Sequence, residues 1–182
     1  MKKLFYIGIS IVLGAITLSS CGGNGNDWSE YREWRNANIK WYLEQKDKKD
    51  ANGNSYYTEL NPEWSPNSGV LIHYFNDRSQ TESNLSPLIT SKVTVKYKGK
   101  LYDGTTFDST AVEGTDTVST FALTSLIPGW KVALQDMRVG DTCEIVIPYT
   151  MGYGTAGTTS ISPYSSLKFG VKLVDIPNYE IP

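Results

Sequence analysis

Several short segments of this chain alternate between apolar and polar residues with a period of two, which is typical of half-buried β-strands. The clearest is residues 92–98, with the sequence KVTVKYK, in which every second side chain is apolar. The dipeptide Asp103-Gly104 follows closely and is typical of a hairpin turn. We therefore predict strands at 70–75, 92–98, 105–108, 121–123, 143–147 and 167–176.

Two other segments repeat their apolar side chains at helical spacing. Residues 130–137 form a short helical pattern, and residues 28–50 form a longer one with an aromatic side. That aromatic side comprises Trp28, Tyr31, Trp34, Trp41 and Tyr42, and Asn38 recurs at the same helical spacing. We expect it to pack on the main domain or on a second copy of the chain, as a homodimer. The alternative is that this N-terminal helix grips substrate.

The combination of many strands with one central helix predicts an α+β fold. We expect a twisted antiparallel β-sheet of about five strands wrapped around the helix at 130–137, preceded by the aromatic-rich N-terminal helix. Residues 51–65 are rich in Asn, Pro, Ser and Tyr and are predicted to be a linker.

The first twenty residues have the pattern of a secretory signal, with two lysines followed by an apolar run. This run ends in LSSC at 18–21, which resembles a bacterial lipobox and predicts a lipid on Cys21, followed by a tether at 21–27. The alternative is a transmembrane anchor, for which the run is short. We expect a lipid-anchored protein of the cell envelope, facing the periplasm or the outside. Gly22, rather than aspartate, follows the cysteine and favours the outer membrane.

Composition argues against several classes of function. The formal net charge is −2, and no basic run carries interleaved aromatic residues, so we expect no nucleic-acid partner. If Cys21 carries lipid, Cys143 has no partner for a disulfide within the chain, and its apolar strand predicts a buried side chain. With His73 as the single histidine, no metal site can be assembled.

Six ordered blocks resemble the FKBP-type peptidyl-prolyl cis-trans isomerases. They are VKYKG (95–99), LYDGTTFDS (101–109), LIPGW (126–130), MRVGD (137–141), IPYTMGYG (147–154) and LKFGVKL (167–173). The resemblance covers residues 66–177 and implies an FKBP-like domain that needs no cofactor. Its clients would be proline-containing polypeptides.

The resemblance also implies a pocket for the proline ring. The catalytic residues carried over are Tyr97, Phe107, Asp108, Ile127, Trp130, Tyr153 and Phe169. The further substrate-binding residues are Phe121, Leu126 and Ile161. In this arrangement Trp130 is the floor of an apolar cup, while the Ile127 N–H and the Tyr153 hydroxyl hold carbonyl groups. Asp108 either lies beside the twisted carbonyl or orients Tyr97.

Some residues at the rim depart from the family pattern. Ser119 stands where many members carry an aromatic residue, Thr124 replaces a usual glycine, and residues 155–163 are rich in Thr and Ser. These changes affect ligand affinity and peptide selectivity more than the floor of the cup. We expect a prolyl isomerase that assists folding of envelope or exported proteins. The alternative is a peptide-binding chaperone or assembly module with little turnover.

Overall fold

The alternation at residues 92–98 becomes an inner strand of a sheet, paired on both edges. The computed structural model describes residues 31–110 and 117–178. Within β3, Lys92–Leu101, Val93 and Val95 are fully buried, whereas the intervening lysines and threonine lie on the opposite face. Because successive side chains of a strand point to opposite faces, this single pattern fixes which face of the sheet covers the core.

Among the described residues the sheet has seven strands, all of them antiparallel to their neighbours, in the order β1-β2-β6-β7-β3-β4, and β5 also pairs with β3. Besides β3, the strands are β1 (Thr58–Leu60), β2 (Val70–Tyr74), β4 (Thr106–Ser109), β5 (Ser119–Ala122), β6 (Thr142–Ile147) and β7 (Leu167–Asp175). The turn between β3 and β4 falls at the predicted Asp-Gly pair, where Gly104 has a φ of +89°. One edge of β3 is shared by β4 and β5, and β7 lies along the other.

The concave side of the sheet holds the main core and the short helix α2, Pro128–Asp136. Proline at the first helical position is favourable there because its missing N–H would have no partner in the helix. Trp130, Ala133 and Leu134 of α2 are buried against strand residues of the sheet. This packing confirms the predicted FKBP-like α+β arrangement.

The outer side of the sheet is covered in part by the N-terminal helix α1, Arg32–Lys46. Leu71 and Val146 alternate with the core residues of β2 and β6 and therefore point to this outer side, where Trp41 and Tyr42 of α1 pack against their cluster. The Tyr42 hydroxyl donates to the Gly69 carbonyl at 2.9 Å. The described part of the N-terminal helix thus packs on the domain of its own chain.

Two expectations about the sheet need correction. The described part of the sheet has seven strands rather than about five. Residues 51–65 are not only a linker, because β1 pairs with β2 and Tyr57 is 5% exposed. The pattern of this segment is too short and too rich in turn-forming residues to reveal an edge strand.

Part of the prediction concerns residues that the structure does not describe. The signal peptide, Cys21 with its lipobox, the tether at 21–27 and Trp28 lie outside the described residues. Within the described residues, no helix combines the length and apolar character that crossing a membrane requires.

Candidate active site

A cavity of about 190 Å³ opens between β3, β4, β5, the start of α2 and the loop after β6. Its lining is mostly aromatic and aliphatic, with few polar side chains. The lining residues are Tyr97, Phe107, Asp108, Phe121, Ser125, Leu126, Ile127, Trp130, Tyr153 and Phe169. Such a concave, apolar site with a few polar groups is typical of small-ligand binding.

The buried end of the cavity is built from rings that meet edge to face. Trp130 is 4% exposed and Phe169 is 3% exposed, and their ring centroids lie 5.1 Å apart at an interplanar angle of 90°. The Tyr97 ring meets Trp130 at 5.3 Å and 90°. Edge-to-face contacts of this kind are favourable and hold each ring in one orientation. The cavity therefore has a rigid apolar wall.

Two glycines allow this wall to form. A Cβ at Gly99 would lie 2.7 Å from ring atoms of both Phe107 and Phe169, so no larger residue fits between those rings. A Cβ at Gly129 would lie 2.5 Å from the side chain of Ile147, which packs under the first turn of α2. Both positions need glycine for close approach rather than for an unusual backbone conformation.

The polar pair at the cavity is Tyr97 with Asp108. The Tyr97 hydroxyl donates to Asp108 Oδ2 at 2.7 Å. Burial, together with this hydrogen bond, raises the pKa of Tyr97 well above its ordinary value of 10, so the hydroxyl stays protonated at neutral pH. Across the β3–β4 hairpin, Thr110 Oγ1 accepts from the Tyr97 backbone N–H at 2.9 Å. Both the backbone and the ring of Tyr97 are thus held in place.

Two further donors are available to a ligand. Ile127 immediately precedes α2, and no hydrogen bond among the described residues uses its N–H as donor. Tyr153 is 36% exposed at the rim, where burial and the negative charge of Asp108 raise the pKa of its hydroxyl. Both groups are therefore able to donate to a carbonyl oxygen of a bound peptide.

The structure brings all the carried-over residues to this one cavity except Ile161. Ile161 is 4% exposed and belongs to the main core cluster, so it does not line the cavity. Sequence reasoning missed Ser125, whose hydroxyl donates to the Ala122 carbonyl at 2.7 Å. Ser125 directly precedes the LIPGW block, and this position in the sequence is the feature that identifies it as a lining residue.

The remaining reactive side chains lie elsewhere. Cys143 is fully buried, as its strand pattern predicts, and burial raises the pKa of its thiol. His73 stacks on Tyr56 with a centroid distance of 3.9 Å and does not line the cavity. Across residues 31–110 and 117–178, no three acidic, histidine or cysteine side chains form a group suited to a metal ion.

Comparison with known proteins agrees with this geometry. Residues 85–174 match a family model described as FKBP-type peptidyl-prolyl cis-trans isomerase. The chain is 41% identical over 113 residues to the FKBP-type 22 kDa peptidyl-prolyl cis-trans isomerase of Escherichia coli, covering 62% of this chain and 52% of that protein. It is 41% identical over 85 residues to a Legionella longbeachae protein named Outer membrane protein MIP, covering 46% of this chain and 36% of that one.

Similarity extends to solved structures. A peptidyl-prolyl cis-trans isomerase from Pseudomonas syringae superposes with a TM-score of 0.64 at 26% identity, covering 80% of this chain and 95% of that one. The chain spans about half the length of the curated relatives that it matches first. Through residues 85–174, the chain belongs to the family of FKBP-type peptidyl-prolyl cis-trans isomerases.

Proposed function

We propose that this protein catalyses the cis–trans isomerisation of peptide bonds that precede proline in polypeptide clients. The observation that carries the proposal is the aromatic cavity closed by Trp130 and Phe169, with two donors, the Ile127 N–H and the Tyr153 hydroxyl, beside it. Its volume of about 190 Å³ and its apolar lining suit a pyrrolidine ring rather than a charged side chain.

The reaction needs no nucleophile and no proton transfer. Rotation about the amide bond is opposed by a barrier of roughly 18–20 kcal/mol, which arises from resonance. A twisted amide has lost that resonance and therefore gains less from hydration than a planar one. An apolar cup that binds the proline ring while excluding water favours the twisted form relative to the planar one.

Each polar group at the cavity has a role in this proposal. The Ile127 N–H and the Tyr153 hydroxyl donate to carbonyl oxygens of the peptide and fix the chain on either side of the rotating bond. Asp108 accepts from the Tyr97 hydroxyl and orients that ring against Trp130. The carboxylate thus acts on the shape of the cup rather than as an acid or base.

Catalysis is preferred here to a binding module with little turnover. The binding alternative drew its support from the aromatic N-terminal helix, as a surface for gripping clients. Trp34, Trp41 and Tyr42 of α1 instead contact the domain of the same chain, which accounts for them without a client. The cavity lining, by comparison, keeps the polar and aromatic groups that isomerisation requires.

An uncoupled assay with a prolyl peptide, on a soluble form beginning at residue 27, tests the activity. We expect the rate of cis–trans interconversion of the peptide to rise in proportion to the concentration of the protein. Phe107→Ala should lower kcat/KM by about tenfold or more by opening the cup. Phe75→Ala makes the same chemical change at a residue that is 57% exposed and does not line the cavity, and should leave the rate unchanged. Saturable peptide binding without faster exchange would instead establish the binding module.

We further propose that lipid on Cys21 anchors the protein to the cell envelope, at the outer membrane, where its clients are envelope or exported proteins. The lipobox-like LSSC at 18–21 supports this location, and so does the Legionella longbeachae relative named as an outer membrane protein. Cys21→Ser should abolish incorporation of labelled lipid and release the protein from the membrane fraction. Unchanged fractionation and labelling would exclude the anchor.

A further inference from the structure

The loop that presents Tyr153 to the cavity has little regular structure of its own. This rim loop, residues 152–166, connects the end of β6 to β7 and contains two glycines in the left-handed region, with a φ of +66° at Gly154 and +65° at Gly157. Tyr164 also has a positive φ of 63°, a conformation that a residue with a side chain adopts only when its surroundings hold it. Contacts from outside the loop must therefore help to fix its course.

Those contacts come from α1, above all from Asn38. This asparagine is fully buried although it lies on a helix near the surface. Its Oδ1 accepts from the Ser166 N–H at 2.7 Å, and its backbone carbonyl accepts from the Ser166 hydroxyl at 3.2 Å. Its Nδ2 donates to the Trp34 carbonyl at 2.9 Å, so the side chain is satisfied on both sides. A buried amide used in this way fixes one segment against another.

The two residues before Ser166 are held by α1 as well. Trp34 Nε1 donates to the Ser165 hydroxyl at 3.2 Å. The Arg35 guanidinium lies 5.6 Å above the ring of Tyr164, a distance at which a cation and an aromatic face attract each other. Three consecutive residues at the end of the rim loop are thus bound by one helix.

A short path of hydrogen bonds leads from this clamped end to the cavity. The Tyr164 N–H donates to the Gly154 carbonyl at 2.9 Å, and Gly154 directly follows Tyr153. The Gly157 N–H donates to the Tyr153 carbonyl at 3.1 Å. Because these hydrogen bonds connect the two parts of the loop, a displacement of residues 164–166 also displaces the backbone of Tyr153.

We propose that α1 is a positioning element of the isomerase site, and that Asn38 is the residue by which it holds the rim loop, and with it Tyr153, over the bound peptide. The proposal rests on the proposed isomerase function. Asn38 does not touch substrate and acts through Ser166. The rim contacts the peptide in both its planar and its twisted forms, so loss of the clamp weakens substrate binding more than the rotation step.

Asn38→Ala tests the clamp. We expect KM to rise by about five- to tenfold while kcat changes by less than about twofold, because a misplaced rim loses binding contacts. Amide hydrogen exchange in residues 152–163 should become faster in the free protein, which is a readout that does not depend on activity. Trp34→Phe keeps a ring beside Tyr102 but removes the donor to Ser165, and should give the same change to a smaller extent.

Tyr42→Phe is the matched control. It also removes one hydrogen bond between α1 and the domain, but at the Gly69 carbonyl, on the β2 side of the helix. It should lower stability without changing KM or exchange in the rim loop. If Asn38→Ala matches the wild type, or if both variants lose activity only in proportion to stability, the clamp is excluded.

An inactive wild-type protein and an unfolded Asn38→Ala variant have separate interpretations. A wild-type protein that does not accelerate isomerisation would contradict the proposed function, whereas exchange in residues 152–163 would still report on the clamp. If Asn38→Ala does not fold, KM and amide hydrogen exchange are compared between Trp34→Phe and Tyr42→Phe. An increase in both for Trp34→Phe alone supports the clamp, and no difference between the two variants excludes it.

Discussion

At the scale of single residues, the hydrogen bond from Tyr97 limits the chemical role of Asp108, the one carboxylate that lines the cavity. The carboxylate already accepts a hydrogen bond from a phenol whose pKa is raised, so that proton is not released near neutral pH. His73, the only histidine, does not line the cavity. The described lining therefore contains no histidine, and its two tyrosines, Tyr97 and Tyr153, keep their protons near neutral pH because their pKa values are raised.

This arrangement leads to a prediction for Asp108. Asp108→Ala should lower kcat/KM by about tenfold, which corresponds to about 1.4 kcal/mol of barrier, because the Tyr97 ring loses its orientation. Asp108→Asn keeps an acceptor for the hydroxyl and should retain most of the rate. Combining Asp108→Ala with Tyr97→Phe should cost little more than either change alone, since both remove the same contact.

The pH dependence of kcat/KM tests whether Tyr97 and Asp108 take part in proton transfer. We expect kcat/KM to be nearly flat between about pH 6 and 8. A bell-shaped profile, or a loss of about a thousandfold on removal of the Asp108 carboxylate alone, would indicate proton transfer and overturn the proposed mechanism.

At the scale of elements, α1 has two roles that fall on different parts of its length. Towards its beginning, Trp34 and Asn38 hold the rim loop. Towards its end, Trp41 and Tyr42 cover Leu71 and Val146 on the outer face of the sheet, and Lys46 forms an ion pair with Glu59 of β1 at 2.8 Å. The helix therefore contributes to stability and to the site through separable contacts.

Deletion of residues 22–50 should accordingly lower the melting temperature by about 10 °C or more. Fully burying one large apolar side chain contributes roughly 1.5–3 kcal/mol, and about 1 kcal/mol corresponds to roughly 2–4 °C in a protein of this size. The deletion uncovers three buried side chains, Tyr57, Leu71 and Val146. Differential scanning calorimetry measures the change.

Sedimentation of the same deleted form addresses a second copy of the chain. A homodimer through the N-terminal helix would dissociate when the helix is removed. An unchanged melting temperature together with a change from dimer to monomer would show that the helix serves association rather than the stability of its own domain.

At the scale of the whole molecule, buried and half-buried tyrosines set the response of the fold to alkali. Burial is the main cause that raises the pKa of Tyr42, Tyr57 and Tyr74 well above 10, and hydrogen bonds to Glu144 and Asp136 add to it for Tyr57 and Tyr74. The folded state therefore holds these protons more tightly than the unfolded chain does. As the pH rises past about 10, the unfolded chain gives up protons first and becomes relatively more stable.

We expect these tyrosines to leave the urea midpoint unaffected between about pH 6 and 9 and to lower it steeply above about pH 10. Tyr57→Phe removes the hydrogen bond to Glu144, so it should lower the midpoint at neutral pH. It should also make the alkaline decline shallower, because one group that titrates on unfolding is gone. A midpoint that falls equally in both proteins would show that Tyr57 is not one of the groups responsible.

The sequence by itself determined six of the seven described strands, the two helices and most of the residues that line the cavity. Alternation of period two identified β3 and β7, and the Asp103-Gly104 pair identified the hairpin, because these signals lie within a few consecutive residues. The carried-over site residues were named through the family resemblance, and the structure brings all of them but Ile161 to the cavity, which Ser125 also lines. Their roles in isomerisation are proposals that the experiments above address.

Only the tertiary structure decided which elements meet across long separations in sequence. Strand β1 carries too few residues for a pattern and is defined by its pairing with β2. The aromatic side of the N-terminal helix predicts burial, but it does not specify whether the sheet of the same chain or another copy provides the cover. Asn38 recurs at the helical spacing of the aromatic side, but its polar side chain does not indicate which group is its partner. Its place depends on Ser166, 128 residues away, since a buried amide is stable only where a distant backbone supplies its partner.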